Sequence, residues 1–63
     1  MNGEKFRVHR STPIGGPVAT DRIHDCFVAY RLNDLGSFDF EHIAFGHGCS
    51  RSEAIFDLQR RLK

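Results

Sequence analysis

Tryptophan is absent from this chain, proline occurs only twice, and neither sign of charge prevails: nine Lys and Arg stand against eight Asp and Glu, a formal net charge of +1. Without an excess of either sign there is no general attraction to nucleic acid or to an anionic membrane, so any such binding has to come from local clustering. Long hydrophobic runs are missing too, none approaching the ~18 residues a membrane span needs. The opening residues, MNGEKFRVHR, contain no apolar core of the secretory type. The expectation is a soluble cytoplasmic protein with no membrane partner. Cysteine is scarce, and with no secretory signal Cys26 and Cys49 are read as free thiols rather than as a disulfide. Repeats and low-complexity segments are absent. So are a G-x-S-x-G elbow, a phosphate-binding glycine loop and an H-E-x-x-H pair, and so short a chain has little room for a water-excluding pocket. Neither an enzyme nor a cofactor is expected.

What is present argues for a fold. Hydrophobic residues make up 40% of the chain and six are phenylalanine, whereas disordered segments are poor in aromatics. The 63 residues form one domain, residues 1–63, near the lower limit at which a single core offsets chain entropy unaided, so association with further copies fits the expectation. The clearest element is the stretch from Phe45 to Lys63, FGHGCSRSEAIFDLQRRLK. Ser50 precedes Glu53 by three residues, the capping-box spacing, in which the serine oxygen accepts from an early helical N–H and the glutamate reaches back to the cap. Ile55, Leu58 and Leu62 then recur at helical spacing, with Ala54, Phe56 and the stem of Arg51 at the edges of one apolar stripe. Acidic residues early and basic residues late suit the helix dipole, and Asp57 is placed to pair with Arg61.

The remaining residues must supply the surface on which this helix lies. From Lys5 to Arg10 the chain alternates, Phe6 and Val8 against Lys5, Arg7 and His9, as a strand with one buried face does. The segment STPIGGPVATDR reads as a long connection, pinned to the core by Ile14 and Val18. A second strand is expected over Ile23 to Leu32, with Cys26, Val28, Tyr30 and Leu32 on one side and Phe27, Ala29 and Arg31 on the other. NDLGS supplies a reversal into a third strand that starts at Phe38. Its apolar phase slips between Phe40 and Ile43: a bulge near His42 would turn Ile43 and Phe45 inward, whereas a regular strand leaves both exposed as a contact surface. The predicted fold is therefore α+β, a three-stranded antiparallel sheet with one C-terminal helix packed on one face, in the order β-β-β-α. The uncovered face is expected to carry Arg7, His9, Arg31, Asp39 and Glu41 with Phe27 and Ala29.

His24-Asp25-Cys26 and His47-Gly48-Cys49 are two copies of His-x-Cys, and four such ligands could hold a tetrahedral ion. Their spacing fits none of the familiar zinc patterns, so no metal site is assigned; Cys26 is read as a buried thiol and Cys49 as a loop thiol. Ser50 beside His47 is read as a helix cap rather than a nucleophile.

The segment Gly48 to Leu58, GCSRSEAIFDL, resembles the run that opens the helix in HicB-type antitoxins, through Gly48, Ser50, Glu53, Ala54, Ile55 and Leu58. That resemblance implies a sheet followed by a helix and fits an antitoxin-like or inhibitor-like protein. The family's proline-containing segment is replaced by FEHIAFG. The same segment is also similar to the end of a double-stranded-RNA-binding domain, through Gly46, Gly48, Ser50, Arg51 and Ala54. There a basic helix start sits across phosphates and a Gly-Pro loop enters the minor groove. Here Gly16-Pro17 stands between the first two expected strands, and Ser52 and Ile55 replace two of the family's lysines.

The leading expectation is a small non-enzymatic module that binds a protein partner through spare aromatic and aliphatic residues, Phe27, Ile43 and Phe45. The alternative is a nucleic-acid binder using Arg51, the late basic residues Arg60, Arg61 and Lys63, and the Gly16-Pro17 loop.

Overall fold

The structure, a computed structural model, describes residues 5–62. Its strands are β1 Phe6–His9, β2 Val18–Ile23, β3 Cys26–Arg31 and β4 Gly46–Gly48, followed by the helix α1 Arg51–Arg61. All neighbours are antiparallel and the sheet order is β1-β2-β3-β4. The α+β class and the C-terminal helix agree with the sequence reading. The strand count does not, since four strands replace the three expected.

The additional strand lies in the segment read as a connection. Only Ser11 to Pro17 forms that loop, fastened by the Thr12 hydroxyl on the Gly16 carbonyl (3.1 Å) and by the Gly15 N–H on the Thr12 carbonyl (3.1 Å). After the second proline, VATDRI contains three β-branched residues and pairs on both sides, with Val8↔Ala19 toward β1 and Ala19↔Tyr30 toward β3. This inner position explains why Val18, Ala19 and Thr20 are all fully buried. The expected strand Ile23 to Leu32 is broken near its start. His24 adopts φ 58°, a left-handed conformation that histidine tolerates better than most residues, and Ile23↔Cys26 closes a two-residue turn over His24 and Asp25.

The expected third strand from Phe38 is also corrected. NDLGS does reverse the chain, with the Asn33 side-chain oxygen accepting the N–H groups of Leu35 and Ser37 and with Gly36 at φ 84°. Phe38 then makes a single bridge to Leu32 and the chain leaves the sheet. The Asp39 carboxylate accepts the Glu41 N–H (3.0 Å) and the Asp39 carbonyl accepts the His42 N–H (3.3 Å), a local turn that competes with the ladder. Pairing resumes only at Gly46.

The faces of the sheet are reversed relative to the expectation. Cross-strand register and alternation place Arg7, His9, Val18, Thr20, Phe27, Ala29, Gly46 and Gly48 on the side covered by α1, and Phe6, Val8, Ala19, Asp21, Val28, Tyr30 and His47 on the open side. The core comprises Val18, Ala29, Ala54, Ile55 and Leu58, with Ile14, Phe27, Ala44 and Leu62 packed around it. Phe27 and Ala29 are therefore beneath the helix rather than on the uncovered face. Phe6 and Val8, read as inward, are exposed. Phe56, read as an edge of the helix stripe, also faces water.

Small residues win the inner face because the helix sits so close. A Cβ on Gly46 would lie 2.2 Å from the Ala54 carbonyl oxygen and 2.3 Å from the Leu58 nitrogen, and one on Gly48 would lie 2.5 Å from Glu53 Cβ. These obstacles are mostly helix backbone, which cannot rotate aside. The helix start follows the capping-box reading with one change: Ser50 Oγ accepts the Glu53 N–H (3.2 Å), while Glu53 Oε1 accepts the N–H of Cys49 (2.9 Å) rather than that of the cap.

Gly46→Ala is accordingly expected to cost at least about 2 kcal/mol, at the upper part of the range for overpacked sites. Gly16→Ala, where the added carbon meets only the end of Arg31 at 3.8 Å, should shift stability by less than about 1 kcal/mol. Urea unfolding of the two variants checks this, and equal midpoints would contradict the close approach.

Candidate functional site

The open face is built around Tyr30, the chain's single tyrosine. Strand alternation points its ring away from α1, and its hydroxyl donates to Asp21 Oδ2 on the neighbouring strand (2.9 Å). Burial pushes the Tyr30 phenol up to about 12, helped by the hydrogen bond to and the charge of Asp21, so the phenol stays a donor at all physiological pH values. Around the ring gather aromatics from the segment that leaves the sheet. Tyr30 meets Phe38 at 5.8 Å and Phe45 at 6.0 Å between centroids, Phe38 stacks on Phe45 at 5.8 Å, and Phe40 meets Phe38 edge-on at 4.9 Å. Each such pair contributes about 0.5–1.5 kcal/mol beyond the area it buries. Together they hold the irregular chain from Phe38 to Phe45 beside β3 where backbone pairing is missing.

This cluster is only half covered. Phe45 is 42% exposed and Phe40 75%, and along β1 Phe6 is 51% exposed. Of the ionisable side chains, register and alternation bring Asp21, Cys26, Tyr30 and His47 to the open side of the paired strands, and no Lys or Arg. The result is a largely apolar surface ringed by aromatic edges, with no Lys or Arg on its strands.

The covered face carries Arg7, His9 and Arg31, which sequence had assigned to the open side, together with Thr20. Thr20, fully buried, receives a hydrogen bond from Arg51 Nη1 (2.9 Å) and lies 2.8 Å from His9 Nε2. Because Arg51 only donates, the threonine hydroxyl is free to donate to a neutral His9 ring. Burial lowers the His9 pKa, and the nearby Arg51 and Arg7 charges lower it further. The Arg51 guanidinium also lies 4.9 Å from the centroid of the Phe27 ring.

Among the residues singled out from sequence, Ile43 and Phe45 are exposed, and Phe45 belongs to the aromatic cluster. Phe27 is separated from them by the sheet, which removes it from that surface. Arg51 is engaged as described. Arg60 and Arg61 both bind Asp57, at 2.7 and 2.8 Å, and the expected Asp57–Arg61 pair is thus present. Asp57 also accepts the His47 N–H (2.9 Å), so it fastens β4 to the helix while holding both arginines. Lys63 lies outside the described residues. Gly16 and Pro17 line a cavity of about 470 Å³ with Arg31, Asp39 and Glu41, and neither Arg51 nor the late arginines reach its wall. There Arg31 and Asp39 pair at 3.6 Å, but the Arg31 Nε is buried without a hydrogen bond.

His24, Cys26, His47 and Cys49 do not form a cage: no three of them bring ligand atoms within 4.8 Å of one another. Both thiols are free and exposed, which corrects the reading of Cys26 as buried. Asp39, Glu41 and His42 do cluster, but Asp39 Oδ2 is occupied by His42 Nδ1 (3.0 Å) and faces Arg31. Burial opposes the charge on Asp39, and the hydrogen bonds from His42 and the Glu41 N–H with the Arg31 charge outweigh it, lowering its pKa.

The aromatic cluster itself was missed. Its signal was the density of phenylalanine between Phe38 and Phe45 opposite a lone tyrosine, which strand alternation alone cannot assign to a face. No protein-family model matches the chain, and comparison with curated proteins and with solved structures finds no match.

Two pH effects follow. His9 binds fewer protons folded than unfolded, so its contribution is complete above the ordinary 6.5 and declines as pH falls from there toward its lowered value. His9→Gln should flatten the stability profile in that window, measured by thermal melts; an unchanged slope would contradict the His9–Thr20–Arg51 arrangement. The hydrogen bonds from Arg61, the His47 N–H and Arg60 hold Asp57 well below the usual carboxylate range. Its stabilisation is therefore present above the ordinary 3.8 and lost as pH falls through the lowered value. Asp57→Asn should lower the neutral-pH melting temperature and make the acid loss shallower.

Proposed function

We propose that this chain is a small non-enzymatic interaction module that binds a protein partner through the open face of its sheet. The observation that carries this reading is the exposure of Phe6, Phe40 and Phe45 around a surface whose strands present no Lys or Arg, with Ile43 exposed on the same segment as Phe40 and Phe45. Exposed apolar patches rimmed by polar residues mark interaction sites, and rigid aromatic rings supply binding area at low entropic cost. Among the described residues β1 stands at one end of the sheet order, so its outer side continues the same surface. An antitoxin-like or inhibitor-like role, in which such a module covers a partner's surface, agrees with the HicB-like run from Gly48 to Leu58.

The nucleic-acid reading draws less support. It needs cations available to phosphates. Arg51 instead bonds Thr20 and lies against Phe27, and Arg60 and Arg61 are held by Asp57.

Photo-crosslinking of the immobilised chain in cell extract tests the proposal. A protein captured by the wild type should be retained by Phe56→Lys, which alters an exposed ring on the helix, and reduced at least ~10-fold by Phe45→Lys, in line with loss of an aromatic anchor. Capture that survives Phe45→Lys unchanged would overturn it.

A further inference from the structure

We infer that the partner on the open face is a second copy of this chain, with two sheets packed face to face; this rests on the reading of that face as a protein-binding surface. Three observations converge on it.

The first is what the fold leaves outside. None of the six phenylalanines is buried, and the largest fully buried side chains are Leu58, Val18 and Thr20. Three of the seven buried hydrophobic residues are alanines. So small a core belongs to the class that gains stability when its outer apolar surface is covered by association.

The second is area. Taking ~200 Å² for a whole phenylalanine and somewhat less for valine and isoleucine, the exposed fractions of Phe6, Val8, Ile23, Phe40 and Phe45 amount to roughly 500 Å². The partly exposed Val28, Tyr30 and Phe38 bring the patch to at most about 700 Å². Two such patches bury up to about 1,400 Å², which reaches the range of specific, stable interfaces.

The third is charge. A two-fold contact sets each patch against itself, so a strongly charged patch repels its own copy. Here the strands present one carboxylate, Asp21, already accepting the Tyr30 hydroxyl, and no Lys or Arg, while on the segment that carries Phe38 and Phe40 Asp39 is paired with His42 and Arg31 and Glu41 adds a single exposed carboxylate. A partner with a strongly charged surface finds no counter-charges on these strands, whereas an identical apolar face is complementary without any. Two sheets packed this way stand about 10 Å apart, a gap that interdigitating aromatic and aliphatic side chains fill.

Sedimentation equilibrium of the purified full chain, alone and as Val28→Arg and Phe6→Arg, tests the inference, with circular dichroism monitoring the fold. The second substitution is at a position already half exposed, which keeps the test independent of whether the first folds. The wild type should be dimeric at about 100 μM, and a charge buried at the contact should weaken the dimer at least ~10-fold with an unchanged spectrum. A wild type that stays monomeric overturns the inference, as does a dimer that tolerates both substitutions. A monomer that still captures a different protein, lost on Phe45→Lys, rejects self-association and leaves the protein-binding reading standing. A monomer that binds single-stranded oligonucleotide through the same rings, with a steep salt dependence, rejects both.

Discussion

Helix α1 rests on β4 at a distance that no side chain fits. At Gly46 and Gly48 the sheet backbone meets the helix backbone at Ala54 and Leu58 almost directly, and the rest of the structure follows from that approach. A helix held so near one end of a sheet leaves only thin space beneath it, which Ala29, Ala54, Val18 and Leu58 fill. Close packing at interior density then excludes the large rings, and five of the six phenylalanines lie outside that core and its margin. The apolar residues that cannot go under the helix collect on the other side.

The polar groups follow the same division. Asp57 joins the His47 N–H on β4 to Arg60 and Arg61 near the end of the helix, and Glu53 binds the N–H of Cys49, the residue after β4, so the strand and its exit are tied to the helix by two carboxylates as well as by contact. Arg51 reaches across to Thr20 in β2, carrying the attachment to the far side of the core. Cations that sequence offered to a polyanion thus hold the helix in place. The open side is left with rings, aliphatic side chains and a carboxylate satisfied by a tyrosine, which suits recognition by shape and burial rather than by charge.

The helix was legible because its signals are local: a serine cap, a glutamate three residues on, apolar residues at helical spacing, and an Asp57–Arg61 pair one turn apart. The first strand was legible for the same reason, to within a residue at each end. The inner face was not. Both sides of CFVAYR are apolar, and choosing the side with larger residues assumes a core thick enough to hold them; the glycines that make the core thin lie some twenty residues further along. β2 was hidden by its position after Gly-Gly-Pro, and the turn at His24 by the lack of glycine or asparagine there. Phe38 to Phe45 read as a strand because rings favour strands, yet Asp39 closes a turn on its own side chain and the rings pack without a ladder. For the candidate site, the exposure of Ile43 and Phe45 was legible through the phase slip that marks the segment, whereas Phe27 was placed on the wrong side by the inverted face.

The position of every residue on the open surface depends on which face of the sheet the helix covers. Aromatic side-chain nuclear Overhauser effects read this most directly. The Phe27 ring should show contacts to the helix residues above it, and the Tyr30 ring contacts to Phe38 and Phe45 with none to Ile55 or Leu58. Strong Tyr30 contacts to the Ile55 and Leu58 methyl groups, with Phe27 silent toward the helix, would contradict it.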